Sequence, residues 1–139
     1  MLLNLSTEAR TAMATGLNGV FGASAIIRIY DGSKPAAGAA ITTETLLAEF
    51  DCDAAAFGSA VSGVLTIDMD PDLQTTAEAG IGTKTATWAR ILKSDGTTWV
   101  MDCDVSDTGG NGVLKLDNAS ITELGTVTLT TGTLTMPNA

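Results

Sequence analysis

Short runs of alternating apolar and polar residues, cut by Gly and Asp turns, fill most of this chain. A period of two marks a half-buried strand, and turns this frequent leave little room for long helices. Residues 64–69 place Leu65, Ile67 and Met69 on one face and Thr66 and Asp68 on the other. Residues 46–52 place Leu46, Ala48, Phe50 and Cys52 inward, Glu49 and Asp51 outward. Residues 25–30 read as a strand ending at the turn Asp31-Gly32. Residues 83–93 form the longest strand expected, carrying Trp88. The turn Ser94-Asp95-Gly96-Thr97 joins it to residues 99–105, where Trp99, Met101, Cys103 and Val105 share a face. Short strands follow at 113–116 and around Ile121. In the last segment, residues 126–136, Val127 and Leu129 are out of phase with Leu134 and Met136, which predicts a bulge at Thr131-Gly132. Seven or eight strands with no intervening helices predict an all-β fold, an antiparallel β-sandwich or jelly-roll-like module, not a parallel βαβ sheet.

The N-terminal stretch differs. Residues 5–16 predict a short helix with Ser6 as its cap, Glu8 in its first turn and a narrow apolar stripe of Ala9, Met13 and Leu17. Gly16 ends it, and residues 16–24 read as a Gly-rich arm, packed on its own domain or reaching a neighbouring subunit. The expected organisation is therefore residues 1–24 as helix and arm, residues 25–139 as the β domain. Residues 33–45, rich in small residues, read as a long surface loop.

The 139 residues include no His, which argues against an enzyme, because His alone titrates near neutral pH unperturbed. Seven Lys and Arg stand against sixteen Asp and Glu, a net charge of −9, and the basic residues are scattered. Such a surface repels phosphate backbones, so no nucleic-acid partner is expected. No run approaches a membrane span, and Met1-Leu2-Leu3-Asn4-Leu5 lacks the basic start and apolar core of a signal peptide. Assembly in a cytoplasm, with reduced cysteines, is the expectation.

Other signals are weak. Asp68-Met69-Asp70-Pro71-Asp72 begins like a calcium loop, but Leu73 and Ala79 stand where the EF-hand needs Gly and Glu. Asp51-Cys52-Asp53 and Asp102-Cys103-Asp104 repeat one tripeptide, yet alternation aims each thiol away from its flanking carboxylates. Two buried thiols are expected, with a late disulfide as the alternative. Gly109-Gly110-Asn111-Gly112 lacks the Lys-Ser or Lys-Thr of a phosphate loop and reads as a turn. No cofactor and no metal are assigned.

Several segments occur in an order found together elsewhere: Leu5-Ser6-Thr7-Glu8-Ala9-Arg10, then residues 27–36 (IRIYDGSKPA) and Thr45-Leu46-Leu47-Ala48-Glu49. Residues 85–91 (TATWARI), 94–98 (SDGTT) and 116–121 (LDNASI) follow, then Val127-Thr128-Leu129-Thr130. In these, the chain resembles small proteins encoded among the head and structural genes of tailed bacteriophages. The resemblance implies a virion component, a head decoration (cement) protein binding the major capsid protein and itself as a homotrimer or homodimer. It carries no catalytic residues. Leu2, Leu3 and Leu5, with Met13, Leu17, Val20 and Phe21, are the apolar candidates for capsid or subunit contact, and residues 33–45 a second candidate. A tail, neck or fibre protein and a carbohydrate-binding β-sandwich are the alternatives; for the latter only Tyr30, Trp88 and Trp99 offer aromatic platforms, with Trp99 expected to be buried.

Overall fold

A computed structural model describes residues 3–52, 57–67 and 73–137. The helix α1 spans Thr7–Phe21. Ten strands follow among the described residues: β1 (Ile26–Tyr30), β2 (Leu46–Asp51), β3 (Val64–Thr66), β4 (Leu73–Thr76), β5 (Thr83–Thr85), β6 (Trp88–Leu92), β7 (Trp99–Asp107), β8 (Leu114–Leu116), β9 (Ser120–Thr122) and β10 (Thr126–Thr135).

The fold is mostly β with one N-terminal helix. Seven strands run in the order β2-β1-β6-β7-β8-β10-β3, curled like half a barrel, and β4 pairs with the first half of β10. The Glu78 amide donates to the Leu47 carbonyl at 2.9 Å, bringing the chain after β4 back to β2. β5 and β9 form a separate two-stranded sheet. The pairing is not wholly antiparallel: β7 and β8 are parallel neighbours joined only through residues 108–113. Such neighbours usually need a connection of about a dozen residues. The short return works because glycines remove side chains where the chain folds on itself. A Cβ on Gly112 would sit 2.5 Å from the Ser106 amide nitrogen. The Ser106 hydroxyl instead accepts the Gly112 N–H at 2.9 Å.

Register sorts the side chains into rows. On the inner face Phe50, Ile27, Ile91 and Met101 lie side by side across β2, β1, β6 and β7, as do Ala48, Ile29, Ala89 and Cys103. These rows join Leu65, Leu114, Leu116, Val127 and Leu129 in the main core. β10 keeps its apolar residues inward by a register shift between Leu129 and Thr131, as their phase predicts.

Four expectations are corrected. The helix does not stop at Gly16 but runs to Phe21, and Gly22 (φ +69°) closes it. Helical glycines each cost about 1 kcal/mol against Ala. Here Phe21, buried against Phe57 with ring centroids 4.7 Å apart, and the Asn18 amide, donating to the carbonyls of Phe57 and Gly58, hold the last turns in place. The stretch read as an arm is thus anchored to its own β module. Residues 83–93 are two strands, because the chain leaves β9 at Ala86 and joins β1 and β7. Leu46 is not inward: a shift between Ile29 and Tyr30 moves it to the outer face, and Leu47 is buried instead. Trp99 is 42% exposed, because a shift between Ile91 and Leu92 breaks the alternation at Val100.

Candidate functional site

Two surfaces stand out. The first is the side of α1 turned from the sheet. Ser6 caps the helix by accepting the Ala9 N–H at 3.1 Å, and Glu8 lies in its first turn. Ala14 and Phe21, one heptad apart, face the core, and Leu17 packs partly against it. At 100° per residue, Ala12, Thr15, Gly16, Gly19 and Val20 then point outward with Met13 at their edge, and all six are exposed. A surface helix normally carries charged or polar residues there. This one carries no charge beyond its first turn, since its charges are Glu8 and Arg10 alone, and its exposed polar side chain there, Thr15, donates its hydroxyl to the Thr11 carbonyl at 2.9 Å. A Cβ on Gly16 or Gly19 would meet nothing within 4 Å.

Of the residues singled out for contact, Leu3, Met13 and Val20 are exposed at 61%, 45% and 48%. Leu5 and Leu17 are half-buried, and Leu2 lies outside the described residues. Phe21 is not exposed at all: at 1% it belongs to the core. The stripe Ala9, Met13, Leu17 is the flank of the helix rather than its inward face. Val61 and Leu124, 68% and 67% exposed, carry no periodic signal that distinguishes them from core residues.

The second surface is the outer face of β2, β1, β6 and β7. Glu49, Arg28, Arg90 and Asp102 form one row across the four strands. Two arginines sit side by side, each with its own carboxylate. Arg28 Nε donates to Glu49 Oε2 at 2.6 Å, and Arg90 forms a fork with Asp102 at 2.8 and 2.9 Å. In the next row Tyr30 stacks on Trp88, centroids 4.6 Å apart, and the Arg90 guanidinium lies 5.6 Å from the Trp88 ring centroid. Tyr30, Trp88 and Leu92 are buried yet stand apart from the main core, as a thin second layer.

Residues 32–44 lie along this face. Gly38 N–H donates to Asp102 Oδ2 at 3.3 Å, and Lys34 Nζ to Asp104 Oδ1 at 2.8 Å. The Trp88 indole N–H donates to the Asp31 carbonyl at 3.0 Å. Burial alone would raise the Asp102 pKa, but hydrogen bonds from Arg90 and Gly38 outweigh it and hold the carboxyl below its usual range. Asp31 behaves alike, with the Thr45 amide and Lys84 overcoming its burial.

The cysteines are both buried thiols. Cys103 is pushed up to about 12 by burial, which keeps it protonated and unreactive. Cys52 continues the ladder of β2, its backbone N–H donating to the Ala25 carbonyl at 2.9 Å, so β1 and β6 separate it from Cys103. Three interstrand spacings, about 14 Å, are far beyond disulfide reach, which removes the late-disulfide alternative. The segment Asp68–Asp72 and Asp53 lie outside the described residues. Among those described, no cluster of three or more His, Cys, Asp or Glu is placed to hold a metal, no pocket is present, and no helix is long and apolar enough to cross a membrane. Compared with protein-family models, curated proteins and solved structures, the chain matches none.

Proposed function

We propose that this chain is a decoration (cement) protein of a tailed-bacteriophage head, a non-enzymatic clamp on the outer surface of the major capsid protein lattice. The outward side of α1, uncharged beyond its first turn, carries the reading. Ala12, Met13, Gly16, Gly19 and Val20 offer a low, apolar ridge against which another backbone can approach closely. The helix beneath is fixed to the sheet through Phe21 and Asn18, so docking orders little that is not already ordered. The sequence resemblance to phage head and structural proteins names the partner. In this reading the curled sheet and its covering loop serve as a jelly-roll-like, sandwich-like module that self-associates as a trimer or dimer on the virion exterior. A clamp that binds only the assembled lattice stabilises it by linkage.

The test is the copy number of this protein in purified particles of the phage that encodes it, measured by mass spectrometry against the major capsid protein. Decoration predicts one copy per capsid subunit or a simple fraction of that. A few copies per particle would place it in the neck, tail or fibre, and absence from the particle would overturn the virion reading.

A further inference from the structure

Residues 32–44 cross the outer face of the sheet without joining it. Their ends are pinned together: Thr45 N–H donates to Asp31 Oδ1 at 2.5 Å, and Asp31 N–H to the Thr45 carbonyl at 3.2 Å. Gly32, at φ +75°, lets the chain turn away immediately after this clasp. No side chain of residues 32–44 is fully buried; Pro35, Ala39, Ile41 and Glu44 are half-covered and the rest exposed. Burial therefore contributes little to holding the segment down.

What holds it is polar and concentrated on β7. Asp102 accepts the Gly38 N–H while gripping Arg90, and Asp104 pairs with Lys34. The Trp99 ring lies under Gly38, where a Cβ would come within 3.1 Å of it. Beneath, the sheet needs none of these bonds. β6 is paired along its length with β1 and β7, and the Arg28–Glu49 and Arg90–Asp102 pairs lie between strands.

We propose that residues 32–44 form a strap, latched at Asp102 and Asp104 and hinged at the Asp31–Thr45 clasp, that opens as a unit while the sheet stays folded and uncovers the Tyr30–Trp88–Arg90 surface. Segments with few buried apolar contacts open at free energies well below that of global unfolding. The strap meets that description and the layer it covers does not. The proposal does not depend on the virion reading.

Hydrogen exchange followed by NMR tests it on the intact protein. The Gly38 amide is expected to exchange at least about 100-fold faster than the amides of Ala89 and Ile91, with no dependence on low urea, as local opening requires. Lys34→Met is expected to speed Gly38 exchange a few fold and Asp102→Asn more than that, relative to Ala89 in the same variant. Lys34 is a surface residue, so its variant keeps the test open even if Asp102→Asn does not fold. Gly38 exchange as slow as that of Ala89, or variants that speed both sites equally, would each overturn the proposal.

Discussion

Arg90 and Asp102 face each other across β6 and β7 in a two-bond fork, with side chains 9% and 5% exposed. Removing one partner of such a pair leaves the other charged and buried. Asp102→Ala is therefore expected to lower stability by about 3 kcal/mol in urea unfolding. The double variant Arg90→Met, Asp102→Leu is expected to recover most of that loss, since a buried ion pair replaced by apolar residues is often near neutral. A double variant as unstable as the single would refute this accounting.

Stability is expected to fall on the acid side. Asp102 and Asp31 both have folded pKa values below their unfolded ones. Their contribution is fully present above the unfolded value of about 3.9 and is lost as pH falls through the lower folded values. Asp95, whose carboxylate accepts from Thr98 and Thr97 in the β6–β7 turn, is held down to about 2 and adds to the same limb. Thermal melts should be nearly flat in this contribution from pH 8 to about 5 and decline below about 4. With no His in the chain, no side-chain step is expected near pH 6.5, the usual His value.

Gly16→Ala and Gly19→Ala are each expected to raise stability by about 1 kcal/mol, because both glycines are helical and a Cβ there meets open space. Gly112→Ala is expected to do the opposite, costing about 2 kcal/mol, because its Cβ would press on backbone atoms of Val105, Ser106 and Leu114 that cannot swing aside. Urea denaturation of the three variants checks both signs.

Strands were readable wherever alternation ran unbroken, as at Leu65 and Ile67 or Cys103 and Val105, because side-chain direction follows from period two alone. The bulge in β10 was readable because Val127 and Leu129 are out of phase with Leu134 and Met136. The bulges before Tyr30 and after Ile91 were not. Neither leaves an out-of-phase apolar pair, so alternation alone puts Leu46 and Trp99 on the wrong face. The end of α1 was misread because Gly16 and Gly19 argue locally against a helix that Phe57 holds from across the fold. β4, with the sequence Leu73-Gln74-Thr75-Thr76, shows no apolar face to read. The strap was visible only as a loop: what pins it, Asp102 and Asp104, lies more than 60 residues away along the chain.

The contact residues were partly legible. Met13 and Val20 are exposed as required, but Phe21 looked like part of the same patch because sequence alone does not place Phe57 against it. Deleting the N-terminal segment would therefore remove core packing rather than test docking. Substitutions on the outward ridge leave that packing alone.

The most direct test of the account is binding of a Met13→Glu, Val20→Glu variant to heads of the encoding phage stripped of this protein, measured by co-sedimentation. The account predicts an unchanged circular-dichroism spectrum and a melting temperature close to that of the unsubstituted protein, with binding to the heads lost. A folded variant that still binds the heads as well as the unsubstituted protein would contradict it.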